Sequence, residues 1–188
     1  MHSVTLALLG ALSLASSGAA AAQRAAPRYS GYHLAATQPL GDAAGWDYLA
    51  FEPVARLLYI SHERDVLVVD PRTGTIIGRI GNTPGVHGIA FAPAINRGFI
   101  SEGDDSSVAI FALGTRRIVG RVRTTGGDPD AILFDSVSGR VFTMNADGKN
   151  STAIDATTGA VVGTIELGGG PEFAVADGRG HVFVNIET

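Results

Sequence analysis

An all-β fold of repeated four-stranded antiparallel units is what this sequence predicts, and three observations predict it. The stretches "TGTIIGRI" (73–80), "TRRIVGRV" (115–122) and "TGAVVGTI" (158–165) write one apolar pattern three times, at a spacing of about 42 residues. Each copy closes a unit that holds four short β-rich runs separated by Gly, Pro, Asp and Asn. Beyond residue 22, apolar residues nowhere recur at steps of three and four over a sustained window, so no helix is indicated. A self-repeating four-strand unit of this length is the pattern of a β-propeller blade. A parallel β-helix would need shorter and more uniform coils, and a sandwich would not repeat its sequence.

The units run 46–86, 87–128 and 129–170, with a partial one at 171–188. Their first strands are "YLAFEP", "GIAFAP", "AILFDS" and "FAVADG", and their second are "RLLYIS", "RGFIS", "RVFTM" and "HVFVN". Third strands are "VLVVD", "VAIFA" and "STAID", and the fourth is the recurring stretch itself. "DPRTG" (70–74) and "DATTG" (155–159) place an Asp to cap a turn and a Gly to supply its positive φ. "NADG" (145–148) predicts a tight turn between second and third strands. The glycines of "TTGGDPD" (124–130) and "LGGGPE" (167–172) precede strands, not helices, so they connect units and do not cradle phosphate. Trp46-Asp47 is not a WD-repeat dipeptide, because it precedes a first strand and no other unit repeats it.

Ahead of the first unit, "AATQPLG" (35–41) matches "VGTIELG" (162–168) at Thr37, Leu40 and Gly41. Within a leader of 23–45 it reads as an orphan outer strand; the alternative is an extended leader packed on the first unit. Residues 1–22 carry the apolar run "VTLALLGALSLASSGA" and then an A-x-A pattern. That predicts a signal peptide cleaved near Ala22, a periplasmic or secreted product, and no transmembrane segment after cleavage.

The 188 residues carry a net charge of −4 and no Cys. An acidic chain without a basic run gives no electrostatic reason to bind nucleic acid. The missing cysteines exclude disulfides, thiolate metal sites and Cys nucleophiles. No G-x-S-x-G elbow is present, and Ser61, Ser101, Ser106 and Ser107 have no local signature of activation.

"YISH" (59–62), "FISE" (99–102) and "FTMN" (142–145), each followed by a strand such as "VLVVDPRTG" and then by x-x-x-G-x-I, resemble the Tyr-Val-Thr-Asn signature of YVTN-repeat propellers. The chain from about residue 32 onward is similar to the YncE-like branch of that family, exported bacterial proteins of seven blades. In "FVNIET" the Asn falls one place early. Seven such blades would need roughly 290 residues. The resemblance therefore implies a fragment, three complete blades and part of a fourth. An open arc of blades leaves faces and edges exposed, which predicts self-association.

Propellers bind ligands at the channel mouth. There the starts of the first strands carry Asp47, His87, Asp130 and Glu172, and the ends of the second strands carry His62, Glu102 and Asn145. Carboxylates with Asn and His can hold a divalent cation, so a metal-dependent hydrolase or lactonase is one expectation. The same residue types also cap turns and pin loops. The reading preferred on that ground is a non-catalytic binding or scaffold protein of the cell envelope. It needs no cofactor, and its partner is a protein, an envelope component or a small ligand.

Overall fold

The computed structural model describes residues 31–41 and 45–187, and the stretch read as an export signal lies outside them. The chain divides into two units, Met1–Thr37 and Gln38–Thr188. The described part of the first is irregular and exposes Tyr32 and Leu34. The strands belong to the second: β1 (Trp46–Glu52), β2 (Leu57–His62), β3 (Asp65–Asp70), β4 (Thr75–Gly81), β5 (Val86–Ala92), β6 (Arg97–Glu102), β7 (Ser107–Ala112), β8 (Arg117–Arg123), β9 (Pro129–Asp135), β10 (Arg140–Asn145), β11 (Asn150–Asp155), β12 (Val161–Glu166), β13 (Gly170–Ala176) and β14 (Val182–Glu187). One 3-10 turn, Pro93–Ile95, is the only helical element among the described residues.

Among the described residues fourteen strands make antiparallel sheets of four, four, four and two strands, each ordered as the chain runs. These are propeller blades. β1, β5, β9 and β13 are their inner strands, and each lies beside the next.

Side-chain alternation explains why the middle strands read as unbroken apolar runs. Successive residues point to opposite faces of a strand, and here both faces are covered. Tyr59, Val66 and Val68 of the first blade meet Ile100, Ala109 and Phe111 of the second. Phe99, Val108 and Ile110, on the second blade's other face, meet Val141 and Ile154 of the third. Phe111 has room because its ladder partner is Gly98, where a Cβ would sit inside the ring.

The recurring outer strand also has its explanation. Val68 pairs with Gly78 but Val69 with Ile76, which leaves Ile77 as an extra residue. Val119 and Val162 are extra in the same way in β8 and β12. Each outer strand is thus bulged just before its glycine, a device that twists a free edge away from foreign strands.

Acidic residues close the turns as the sequence indicates. Asp155 Oδ1 accepts from the backbone N–H groups of Thr157 and Thr158, and Gly159 follows at φ +76°. Asp70 accepts from Arg72 through both backbone and guanidinium, which holds its carboxyl at about 2, and Gly74 follows at φ +70°. Glu52 and Asp135 do the same after β1 and β9. At 146–149 the left-handed residue is Lys149 rather than Gly148. Gly148 is needed instead because Gly126, in the connection from β8 to β9, approaches its backbone closely.

Residues 35–41 take part in no ladder. Pro39 offers no N–H, and Leu40 packs against Ile60, Leu67 and Val69, on a face of the first blade rather than beside an edge.

Candidate functional site: the mouth of the inner strands

Every inner strand carries the same irregularity. In β1 the ladder pairs Trp46 with His62 and then Leu49 with Ile60, so Asp47 and Tyr48 together oppose Ser61. His87 and Gly88 of β5 oppose Ser101, and Asp130 and Ala131 of β9 oppose Met144. Glu172 and Phe173 of β13 oppose Asn185. A bulge of two residues against one bends its strand and re-aims its side chains. The first bulge position is therefore Asp47, His87, Asp130 or Glu172, and the second is Tyr48, Gly88, Ala131 or Phe173.

Three of the first-position residues meet. Asp47, His87 and Asp130 offer ligand atoms that all lie within 4.8 Å of one another. His87 Nδ1 is 2.6 Å from Asp47 Oδ2 and 3.9 Å from Asp130 Oδ1, while its Nε2 is 3.7 Å from Asp128 Oδ1. An ionised carboxylate only accepts, so the Nδ1 that bonds Asp47 carries the hydrogen. The Tyr48 phenol lies beside the Asp130 carboxylate. Oδ1 of Asp130 is buried and accepts no hydrogen bond from the described residues.

The electrostatics follow from this crowding. Burial is the main cause that pushes the Asp130 carboxyl above its ordinary range; the Asp47 and Glu172 charges add, and His87 and the Tyr48 bond oppose. The Tyr48 phenol is pushed well above its usual range, first by burial and then by the charge and hydrogen bond of Asp130. Glu172 acts on both groups through its charge.

The residues that follow these four in their bulges line a cavity of about 220 Å³. Its wall includes all four second-position residues, Tyr48, Gly88, Ala131 and Phe173. The middle blades contribute the two small residues and the flanking blades the two aromatic ones. The Tyr48 and Phe173 rings are nearly parallel, at 8°, with centroids 6.5 Å apart.

The residues opposite the bulges fasten the blades together. Ser61 Oγ donates to the carbonyl of His87, and Ser101 Oγ to that of Asp130, each reaching the next blade's bulge. Ser101 Oγ also accepts from Gly88 N–H at 2.8 Å. Their hydroxyls position the mouth and are spent on backbone.

The ends of the second strands are not brought to this cluster. Glu102 is fully buried, bonded to Arg121 Nε at 3.0 Å and to Ser107 Oγ at 2.6 Å. Asn145 accepts from Thr143 Oγ1 and donates to Asn150 Oδ1 and Thr152 Oγ1. His62 is buried with its ring 4.1 Å from that of Trp46. All three side chains are held inside their own sheets. Tyr48, Phe173 and Asp128 were not singled out by sequence reasoning. Reading one column past each charged residue would have flagged the first two. Asp128 has a left-handed φ of 53° in a loop, and no pattern marks it.

No family model matches the chain, and no curated protein matches it. Among the solved structures that resemble it is hydrazine synthase from Kuenenia stuttgartiensis, with a TM-score of 0.64 and 17% identity. The match covers 79% of this chain and 42% of that one, so the chain spans less than half the length of that structure. At that identity the likeness shows the fold alone.

Proposed function

We propose that this propeller is an exported, non-catalytic binding protein of the YVTN-repeat type, acting at the cell envelope, and that its ligand presents a cationic group at the mouth of the inner strands. One observation carries the reading: consecutive blades aim Asp47, His87 and Asp130 at one point through the same bulge. The other conspicuous polar residues, Glu102 and Asn145, are used up inside blades, so chemistry is left to one rim. Carboxylates at that rim favour a cation over a polyanion such as nucleic acid. Support for export comes from the N-terminal sequence, and support for the repeat type from the "YISH", "FISE" and "FTMN" columns.

The test is calorimetric titration of the purified chain with Zn²⁺, Ca²⁺ and small organic amines, on wild type and a His87→Ala/Asp130→Asn double variant. The expected result is saturable binding of at least one cation, weakened at least tenfold in the variant while its thermal midpoint stays close to wild type. Equal affinities would remove the rim from consideration.

A second reading, a metal-dependent hydrolase or lactonase, is favoured by the compactness of the same cluster. It requires stoichiometric metal in the purified protein and turnover of a lactone. A preparation with neither eliminates it.

A further inference from the structure

The second bulge positions carry more information than the first. Next in sequence to Asp47, His87, Asp130 and Glu172 stand four residues that line a cavity, small where the middle blades supply Gly88 and Ala131. It is walled by aromatic rings where the flanking blades supply Tyr48 and Phe173. Leu49 and Ile132 complete an apolar lining. Charge at the rim beside an apolar cavity is the arrangement that holds a molecule with one charged end.

We propose that the inner-strand mouth binds a small organic cation, a primary alkylammonium whose nitrogen lies among Asp130, Asp47 and Glu172 and whose carbon chain fills the cavity between Tyr48 and Phe173. This rests on the reading of the mouth as a cation-binding rim and names the chemical class of its ligand.

Three features favour an ammonium over a bare metal ion. His87 Nδ1 already donates to Asp47 at 2.6 Å, so a metal would have to displace that hydrogen to use the nitrogen. An ammonium leaves the pair intact and brings three donors of its own for the carboxylate oxygens of the rim. A metal ion has no use for an apolar cavity, whereas an alkylammonium buries its methylenes there against the Tyr48 and Phe173 rings. The like charges of Asp47 and Glu172 around Asp130 favour the arrival of a positive group.

Size sets the chain length. At about 30 Å³ per water-sized group, 220 Å³ holds roughly seven non-hydrogen atoms. The series from ethylammonium to n-decylammonium should therefore tighten by about fourfold per methylene up to hexylammonium and then level off.

The experiment is titration of the full chain, at low ionic strength, with that series, with n-hexanol as neutral counterpart, and with Zn²⁺ and Ca²⁺. The variants are Asp130→Asn, which removes charge at the rim, and Phe173→Ala, which alters a half-exposed wall. The proposal expects hexylammonium to bind and hexanol to bind at least tenfold more weakly. Asp130→Asn should weaken every amine about equally, and Phe173→Ala should flatten the chain-length dependence while sparing ethylammonium. Hexanol binding as well as the amine, or no dependence on chain length, overturns the proposal. Saturable metal binding lost in Asp130→Asn, with no amine binding, overturns it while leaving the cation-binding rim in place. Binding of neither metal nor amine overturns both.

Discussion

The fully buried Glu102 is the sharpest test of which polar residues build blades and which serve the mouth. Its carboxylate is inaccessible, whereas Arg121, which bonds both its oxygens at 3.0–3.3 Å, keeps about a third of its side chain exposed. Arg121 also donates to the carbonyl of Asn82, in the connection between the first and second blades. Removing one partner of a buried pair is costly because the other charge is left behind, and the cost depends on whether that charge can reach water. In Glu102→Gln the charge left is the guanidinium, which can turn outward, and the new amide oxygen can still accept from Ser107. About 1–2 kcal/mol should be lost, the difference between charged and neutral hydrogen bonds. In Arg121→Met the charge left is a carboxylate with no exposed surface, and the Asn82 contact goes too. About 3–5 kcal/mol should be lost. The double variant Glu102→Met/Arg121→Met removes both charges and should recover much of that.

Urea denaturation with unchanged m-value gives the comparison directly. The order expected is Arg121→Met least stable, then the double variant, then Glu102→Gln close behind wild type. Two single variants within about 0.5 kcal/mol of each other would refute the asymmetric burial from which the order is derived. Ligand binding at the mouth should be unaffected by Glu102→Gln.

Two further predictions concern the packing and the rim. Gly98→Ala places a methyl where the Phe111 ring lies and should cost about 1–3 kcal/mol by overpacking, with Gly98→Ala/Phe111→Leu recovering part of the loss in the same denaturation assay. Asp130, facing Asp47, Tyr48, His87 and Glu172, has its folded carboxyl raised above the unfolded value, chiefly by burial. Its contribution to stability is then fully present below the unfolded value of about 3.9 and is lost as pH rises through the folded one. Asp130→Asn should therefore gain on wild type as pH rises from about 4 toward neutrality. A flat or opposite difference between the two pH–stability curves contradicts this.

The blades were legible because their signals are local: short apolar runs, an Asp closing a turn, a Gly at positive φ, all recurring at one period. The mouth was legible only by half, for a reason of register. In the sequence, the column of Asp47, His87, Asp130 and Glu172 looks no different from the column of His62, Glu102 and Asn145. Each is a polar residue at a strand end. The difference lies in pairing across strands, because the first column falls in a bulge and is turned out of the ladder. The second stays within a regular ladder, where Glu102 faces Ser107 and Asn145 faces Asn150 and the side chains bond inside the sheet. A bulge is a count of residues against a partner strand, and one strand read alone does not contain it.

In a repeat protein, sameness down a column points to the frame, and the departures point to the particular molecule. Ser61 and Ser101 hold the bulge of the next blade by its carbonyl; the third blade carries Met144 at that place, packed against Ala131 and Ala174. The junction of the third and fourth blades is thus held at this point by apolar contact, which tolerates small shifts better than a directed hydrogen bond does. Phe173 stands just beyond that junction, and Tyr48 reaches it from the first blade. Phe173 therefore sits where the column of clamping hydroxyls is broken, while the small residues Gly88 and Ala131 sit where it is kept.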